Sequence, residues 1–314
     1  MRLEDIGFYT LKDERVKSSS ETTQLYRCEL ILTSACNFSC PYCRGIKDKK
    51  SLSYDEALRI INLWCNDNLK NVRFSGGEPT LWKRLSELVN YCKRRGVERI
   101  AISTNGYAER KLYDELLEAG VNDFSISLDA CCASTGDMMA GNIKDSWKKV
   151  IENIEYLAKK TYVTVGIVLT ENNIDEFKDT VILADKLGVA DIRVISSAQW
   201  NKNLIVELPE DVINRHPILK YRLNRNKIRG ISVTDNHECP LVLDDMAVVN
   251  GYHYPCIIYL REGGKPIGKV GSKMRKERKQ WFDNHDVFKD EICNKNCLDV
   301  CVQFNNSHWS RRSN

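Results

Sequence analysis

Three cysteines on one short segment constrain this chain more than any other feature of its sequence. Cys36, Cys40 and Cys43 follow the apolar run Leu30–Leu32 with the spacing CxxxCxxC. Thiolates are soft ligands, and three of them on a tight loop can hold a metal centre, although a structural zinc or an iron-sulfur cluster usually takes four. The spacing therefore predicts a metal centre with one open coordination position.

The composition of the chain bears on the alternatives to such a centre. The 13 cysteines occur in a sequence that starts without an apolar secretion segment and contains no run of about 18 apolar residues. We therefore predict a protein of a reducing, cytoplasmic compartment with no membrane partner, where disulfides are rare. Zinc stays the alternative for the early cysteines, although zinc sites usually draw on CxxC or Cys/His pairs and no histidine lies near this loop.

Short β-rich runs alternate with amphipathic helical segments over the first 200 residues. Such alternation is typical of parallel βαβ units, and Ser53–Glu56 is a capping box that marks a helix start. The pattern predicts an α/β fold with a partial (βα)6, TIM-like barrel, in which functional groups lie on the loops after the strands. The six predicted strands contain Leu30–Leu32, Val72–Phe74, Ile100–Ile102, Phe124–Leu128, Val163–Leu169 and Ile192–Ile195.

Polar motifs follow several of these predicted strands. Ser75–Pro79 contains Gly76, Gly77 and Glu78, and two adjacent glycines permit a ligand to approach the main chain closely. The third, fourth and fifth strands end in the segments 103–106, 127–130 and 170–173, which contain Ser, Thr, Asn and Asp. These motifs predict one functional face at the carboxyl ends of the strands.

The cysteine motif and the ordered strand-end motifs together resemble the radical SAM superfamily. The resemblance implies that Cys36, Cys40 and Cys43 bind three irons of a 4Fe-4S cluster and that S-adenosylmethionine (SAM) chelates the fourth. It also implies that the remaining matched positions contact SAM: Tyr42 beside the adenine, Gly76, Gly77 and Glu78 at the methionyl amino group, Asn105 under the cofactor, Ser127 and Asp129 at the ribose and methionyl end, and Arg193 at a carboxylate of SAM or substrate.

A second group of cysteines lies in the last third of the chain. Asn250-Gly251 between two apolar runs predicts a β-hairpin, and a helix is predicted over Met274–Phe282. The arrangement resembles the twitch or SPASM extension of radical SAM enzymes, which implies a second, auxiliary 4Fe-4S cluster; a four-cysteine zinc site is the alternative. We predict three regions: an N-terminal extension 1–25, a radical SAM partial barrel 26–200, and a small hairpin-and-helix cluster domain 201–314 that contains Cys239, Cys256, Cys293, Cys297 and Cys301.

The positive charge of the chain is concentrated in the same third. Residues 201–314 carry 19 Lys and Arg against 14 Asp and Glu. The densest run consists of Lys273, Arg275, Lys276, Arg278 and Lys279, for which we predict the solvated face of a helix, with a phosphate-binding edge as the alternative.

The resemblance implies a radical SAM enzyme that cleaves SAM reductively and abstracts a hydrogen atom from its substrate. A flavodoxin or ferredoxin would supply the electron. About 25 residues precede the first predicted strand, so we expect a small-molecule or nucleotide-type substrate that is dehydrogenated, epimerised or rearranged. A peptide, protein or RNA substrate is the alternative, and a zinc-stabilised nucleic-acid-binding protein is an alternative of another class.

Two adjacent cysteines, Cys131 and Cys132, follow the fourth predicted strand. A thiol S–H bond is weak enough to return hydrogen to a carbon radical, as in the epimerases of this family. We therefore predict a catalytic role as hydrogen donors for these two thiols. Incidental thiols, one packed and one exposed, are the alternative.

Overall fold

The computed structural model of the chain describes residues 19–45, 50–198, 200, 207–224 and 227–310. Most of the predicted extension 1–25 lies outside these residues. The chain divides into two compact units, which we call the barrel unit (Leu32–Ser51 and Arg73–Ile228) and the C-terminal unit (Met1–Ile31, Leu52–Val72 and Arg229–Asn314). The units interleave along the sequence, and the three regions 1–25, 26–200 and 201–314 stay a prediction.

All six predicted strands of the βα series are confirmed. Parallel pairing joins the third to the fourth, the fourth to the fifth and the fifth to the sixth, and the sixth is an edge strand, so the sheet stays open as in part of a TIM barrel. Three short strands follow later. The strands are β1 (Arg27–Thr33), β2 (Asn71–Gly76), β3 (Arg99–Thr104), β4 (Asp123–Ser127), β5 (Tyr162–Leu169), β6 (Asp191–Ser196), β7 (Asp245–Val249), β8 (Tyr252–Tyr254) and β9 (Gly268–Lys269).

One helix begins where its capping box predicts. The Ser53 hydroxyl accepts a hydrogen bond from the Glu56 N–H at 3.2 Å, as the capping box requires. The described helices are α1 (Tyr54–Asn66), α2 (Leu85–Arg94), α3 (Arg110–Ala119), α4 (Ala133–Met139), α5 (Ser146–Ala158), α6 (Phe177–Lys186), α7 (Glu210–Arg215), α8 (Pro217–Leu223), α9 (Ile257–Arg261), α10 (Met274–Asn284), α11 (Glu291–Asn296) and α12 (Asp299–Ser310).

The core of the barrel unit lies between its strands and helices. Phe74 and Phe124 are fully buried, and the Phe124 ring meets Tyr113 edge-on with 5.7 Å between ring centroids. Burial of such rings removes a large apolar area from water and contributes about 25 cal/mol for each Å². This contact packs α3 against β4.

A buried carboxylate attaches α8 to β6. The side chain of Asp191 is fully buried and accepts hydrogen bonds from the N–H of Ile192 at 2.8 Å and of Ile218 at 3.0 Å. Burial raises the pKa of the Asp191 carboxyl to about 6, although these N–H groups oppose the shift.

This raised pKa predicts a pH dependence of stability. The folded chain binds the Asp191 proton more tightly than the unfolded chain, in which an aspartate has a pKa of about 4. The contribution of Asp191 is therefore complete below about pH 4 and is lost as the pH rises through about 6. Relative to Asp191→Asn, the free energy of unfolding of the wild type should fall by up to about 3 kcal/mol over this range. Denaturant unfolding of both proteins tests this, and a difference that does not change with pH would contradict it.

The C-terminal unit is built around β7. It pairs in parallel with β1 and antiparallel with β8, and β8 pairs antiparallel with β9. The predicted hairpin is confirmed: Asn250 and Gly251 have φ of 50° and 76°, the left-handed values that Asn-Gly accommodates in a tight turn. Pairing of β1 with β7 explains why Arg27–Ile31 belong to this unit.

The charged helix α10 corrects one prediction. Lys276 is exposed, but the Arg278 side chain is fully buried and donates hydrogen bonds to main-chain carbonyls. Arg278 therefore does not belong to a solvated or phosphate-binding face, because the carbonyl oxygens around it hold its guanidinium inside the unit.

We searched the described helices for one that could cross a bilayer. None has the length and the apolar character that a transmembrane helix needs.

Candidate functional site

The loop that carries the three early cysteines is held by main-chain hydrogen bonds within the barrel unit. The Cys43 N–H donates to the Cys40 carbonyl at 3.0 Å, and the Ser39 N–H donates to the Ala140 carbonyl at 3.0 Å. Cys36 and Cys43 are exposed and Cys40 is half-buried. All three thiols are free, so the loop presents three soft donors that no disulfide consumes.

The three thiols lie near enough for their charges to influence one another's pKa. Burial, followed by the charges of Asp129, Cys43 and Cys36, raises the pKa of Cys40 to about 12. Burial also raises the pKa of Cys36, while the Phe38 N–H, 3.3 Å from its Sγ, opposes the shift. Because three thiolates would repel one another here, a metal centre that neutralises them fits this donor set.

Two glycines let the loop after β2 approach the cysteine loop closely. The Gly77 N–H donates to the Thr33 carbonyl at 2.7 Å, and the Glu78 N–H donates to the Ala35 carbonyl at 2.8 Å. A Cβ atom at Gly76 would overlap the Thr33 carbonyl oxygen, and one at Gly77 would overlap that of Ala35. The Gly-Gly pair is therefore required for the position of the residues just before Cys36.

The Glu78 side chain holds this strand-end region from inside. It is fully buried, and its oxygens accept hydrogen bonds from Thr80, from the Thr104 hydroxyl at 2.7 Å and from the Asn105 N–H at 2.7 Å. Burial raises the pKa of Glu78 against these donors. The carboxylate thus links the ends of β2 and β3. The predicted contact of this motif with SAM would therefore be made by main-chain groups rather than by the Glu78 side chain.

A cavity of about 450 Å³, part of it open to solvent, lies beside the cysteine loop. Apolar side chains form much of its wall, and the Phe38 ring is 5.3 Å from that of Tyr107 between centroids. Five of the predicted site residues line the cavity: Cys40, Tyr42, Asn105, Ser127 and Asp129.

Tyr42 and Asp129 form a polar pair in this wall. The Tyr42 hydroxyl donates to Asp129 Oδ2 at 2.5 Å, and Asp129 Oδ1 accepts from the Val168 N–H at 2.8 Å. Burial raises the pKa of Asp129 to about 6, and these two donors oppose the shift. The pair ties the cysteine loop to the ends of β4 and β5. Asn105 makes a second tie, because its Nδ2 donates to Asn37 Oδ1 at 2.7 Å.

The predicted residue Arg193 reaches across the sheet. It pairs in register with Gly166 on β5, which offers no side chain to obstruct it, and its Nη2 donates to the Ser125 hydroxyl at 2.6 Å. Arg193 is not among the described residues that line the cavity. Its predicted pairing with a carboxylate stays a prediction.

Cys131 and Cys132 lie in the connection between β4 and α4. Their sulfurs are 2.9 Å apart, and Cys131 Sγ is 3.5 Å from Glu176 Oε2. Neither cysteine lines the cavity as the described residues define it. Their hydrogen-donor role stays a prediction.

The five late cysteines converge in the C-terminal unit. Burial raises the pKa of Cys239 to about 12, with further contributions from Cys256 and Cys301, and burial raises that of Cys256 to about 11. Burial, followed by Cys256 and Cys239, raises the pKa of Cys293, and the contact with Cys301 raises the pKa of Cys297. The predicted ligands are therefore brought together, with the side chains of Asp290 and His285 beside Cys293.

Sequence reasoning missed several residues of both sites. Met139, Trp147 and Val150 line the cavity from α4 and α5, but an apolar residue on an amphipathic helix gives no signal that separates a cavity wall from the core. Asp290 lies three residues before Cys293, and that short spacing was the available signal for its position.

Comparisons with known proteins agree with this geometry. The sequence model of the Radical SAM superfamily matches residues 30–184. A "Probable GTP 3',8-cyclase" of Saccharolobus solfataricus is 32% identical over 171 residues, which are 53% of this chain and 55% of that protein. A "Probable GTP 3',8-cyclase" of Sulfurisphaera tokodaii is 28% identical over 206 residues, 63% of this chain and 65% of that protein. The chain thus spans about half the length of the first of these relatives.

Two solved structures show the same fold. Streptococcus suis SuiB bound to S-adenosylmethionine superposes with a TM-score of 0.61 at 14% identity, over 88% of this chain and 72% of SuiB. The anSMEcpe protein with bound AdoMet superposes with a TM-score of 0.59 at 15% identity, over 91% of this chain and 92% of that one. The likeness to these structures concerns the fold. The family match over residues 30–184, with the free CxxxCxxC thiols, places the chain in the radical SAM superfamily, whose members use SAM and a 4Fe-4S cluster.

Proposed function

We propose that Cys36, Cys40 and Cys43 hold the 4Fe-4S cluster and that the protein abstracts a hydrogen atom from a nucleotide-type or other small-molecule substrate. The observation that carries this proposal is the combination of three free, mutually close thiols with a cavity beside them. A structural zinc site is closed by four protein ligands and needs no cavity beside it for a further ligand. When bound and reduced by one electron, the cluster and SAM supply a carbon radical that abstracts hydrogen, and methionine is released.

The residues of this chain would bind and orient the cofactor and keep water away. Phe38, Met139 and Trp147 give the cavity an apolar wall, while Asn105 and Ser127 offer polar groups for a nucleoside. The hydrogen bond from Tyr42 to Asp129 fixes the wall next to Cys40. Exclusion of water from this cavity would protect a radical from unwanted hydrogen donors.

A nucleotide-type substrate is favoured by the curated relatives. The matched proteins named "Probable GTP 3',8-cyclase" share up to 32% identity with this chain, whereas the SuiB structure that contains a precursor peptide shares 15%. A peptide or protein substrate is therefore the second candidate, supported by fold alone. The expected reaction class is that of an oxidoreductase or isomerase, with a flavodoxin or ferredoxin as the electron donor.

Isotope transfer tests the substrate proposal. The anaerobically reconstituted enzyme is incubated with SAM, dithionite and GTP deuterated on its ribose, and the 5'-deoxyadenosine is analysed by mass spectrometry. We expect deuterium in 5'-deoxyadenosine with GTP or another nucleoside triphosphate. Deuterium transfer from a peptide pool, with none from any nucleotide, would contradict a nucleotide substrate and support a peptide substrate. If the protein is colourless, contains zinc and does not cleave SAM, the proposed enzymatic function is excluded.

We also propose that the late cysteines hold an auxiliary 4Fe-4S cluster. Cys239 and Cys256 would each supply one ligand, and two of Cys293, Cys297 and Cys301 would complete the set. The mutual influence of these thiols on their pKa supports the proposal, because four soft donors in one buried place suit a cluster. The same donors would also suit zinc, so metal analysis decides between the two.

The iron content of the protein is the corresponding prediction. Anaerobically reconstituted wild type should contain about eight irons and about eight sulfides per chain, the content of two 4Fe-4S clusters. Cys239→Ala with Cys256→Ala should lower both to about four and leave uncoupled SAM cleavage by dithionite in place. Cys65→Ala, a half-buried thiol on α1, serves as the matched control. About four irons in the wild type, or zinc in the C-terminal unit, would exclude the auxiliary cluster.

A further inference from the structure

A cluster of sulfur and carboxylate groups lies outside the cavity and is not used by the proposed function. Cys131 and Cys132 lie between β4 and α4, and Glu176 ends the short 3-10 helix Ile174–Glu176 after β5. One ligand atom from each of these three residues lies within 4.8 Å of the other two. The two sulfurs are 2.9 Å apart, and Cys131 Sγ is 3.5 Å from Glu176 Oε2.

The surrounding structure positions the cluster. Glu176 Oε1 accepts a hydrogen bond from the Thr135 hydroxyl, which orients the carboxylate so that Oε2 faces Cys131. The Glu176 carbonyl accepts from the Thr180 hydroxyl at 2.8 Å. The Asn173 side chain, which is buried, donates to the carbonyls of Asp129 at 2.8 Å and Val168 at 3.0 Å. These bonds join the two connections that carry the three groups, so the cluster is largely formed before any ligand arrives.

The three groups are accessible and separate from the cavity. Cys132 is exposed, and Cys131 and Glu176 are half-buried. The cavity takes Gly136 and Met139 from α4, and neither cysteine is among its described lining residues. A small ion from solvent can therefore reach the sulfurs without passing through the cavity.

We propose that Cys131, Cys132 and Glu176 form a binding site for a thiophilic divalent cation such as Zn²⁺. Two thiolates and one carboxylate are ligands that Zn²⁺ takes, and three protein ligands leave a fourth position for water. The hydrogen bond from Thr135 to the free oxygen of Glu176 is the outer contact that such a ligand usually has. Binding releases one proton from each thiol to solvent, and no electron is transferred. Mg²⁺ and Ca²⁺ prefer oxygen ligands and should not bind here.

Alkylation resolved by peptide mass spectrometry tests the site in the complete, cluster-loaded protein under anaerobic conditions. Iodoacetamide is added with Zn²⁺, with Mg²⁺ or with no added metal, and the labelling rate of each cysteine is followed. We expect Zn²⁺ to slow alkylation of Cys131 and Cys132 by about tenfold or more. Mg²⁺ should have no effect, and labelling of Cys65 on α1 should be unchanged by either ion.

Variants identify the third ligand. Glu176→Gln keeps the size of the side chain and its contact with Thr135, but it should raise the Zn²⁺ concentration for half-protection by about tenfold or more. Glu171→Gln, an exposed carboxylate in the loop after β5, is the matched control and should not change it. Equal alkylation rates with and without Zn²⁺ would overturn the proposal. So would recovery of Cys131 and Cys132 as a disulfide from the anaerobic wild type, or half-protection of Glu176→Gln at the same Zn²⁺ concentration as the wild type.

Discussion

Replacing Cys36, Cys40 and Cys43 together with alanine should abolish reductive cleavage of SAM and remove about half of the iron. The three thiols are free and mutually close, and the described residues near the loop provide no histidine that could replace them. The measurement is 5'-deoxyadenosine formed with dithionite, beside iron and sulfide analysis of the same preparation. The cleavage rate should fall to that of a sample without protein.

Two matched preparations make this result specific. Cys65→Ala removes a half-buried thiol on α1 and should keep both the iron and the cleavage activity. Cys239→Ala with Cys256→Ala should lose a similar amount of iron but keep cleavage, which separates loss of a cluster from loss of the cluster that serves SAM. Residual cleavage above the protein-free rate in the triple alanine variant would show that another site binds SAM.

The largest expected effect on stability belongs to Arg278. Its guanidinium donates to the carbonyls of Val242 at 2.6 Å, Tyr254 at 2.9 Å and Pro255 at 3.2 Å, and also to that of Asp245. Burial lowers the pKa of Arg278 to about 10, so it stays charged at neutral pH. These carbonyls flank the segments that carry Cys239 and Cys256.

Arg278→Met should therefore lower the free energy of unfolding of the C-terminal unit by about 3–5 kcal/mol, because several buried carbonyls would lose a charged donor. Lys276→Ala, on the exposed side of α10, should change it by no more than about 0.5 kcal/mol. Anaerobic urea unfolding, followed by circular dichroism, compares the two. Equal stabilities of Arg278→Met and Lys276→Ala would contradict the structural role of Arg278.

His253 lies in the same buried hydrogen-bond network as Arg278. Burial, followed by the charge of Arg278, lowers the pKa of His253 to about 3. The imidazole is therefore neutral, and its Nδ1, 3.2 Å from Arg278 Nη1, accepts while its Nε2 donates to Glu277 at 3.0 Å. Sequence patterns could not reveal this network, because the run of basic residues in α10 has the composition of a solvated face.

The strands were predictable because each one contains a short run of β-branched, aromatic and other apolar residues between helical segments. The run Val163–Leu169 falls within β5, and Phe124–Leu128 exceeds β4 by one residue at its end. Asn250-Gly251 predicted the hairpin because few other pairs accept two positive φ values in succession. Local sequence determines each of these features.

Pairings between distant segments were not predictable in the same way. Nothing in β1 indicates that Cys28 pairs with Met246 on β7, because an apolar run does not specify its neighbour. The helices α7 and α8 lie in a polar stretch that we did not assign to the barrel unit, and the buried Asp191 that anchors α8 resembles any surface aspartate in the sequence.

In the candidate site, too, local spacing was predictable and contacts between distant segments were not. The spacing of Cys36, Cys40 and Cys43 predicted a shared ligand site, and their thiols influence one another as expected. The contact of Cys131 with Glu176 depends on how the loops after β4 and β5 pack, and residues 45 positions apart carry no joint signal in a single sequence.

Electron paramagnetic resonance of the reduced, anaerobically reconstituted protein tests the central claim most directly, because it reports on the cluster that binds SAM without requiring the substrate. The account predicts a reduced-cluster signal whose shape changes when SAM is added, and a loss of that change in Cys36→Ala. A signal that SAM leaves unchanged in the wild type, or a SAM-dependent change that persists without Cys36, Cys40 and Cys43, would contradict the assignment of these three cysteines to the SAM-binding cluster.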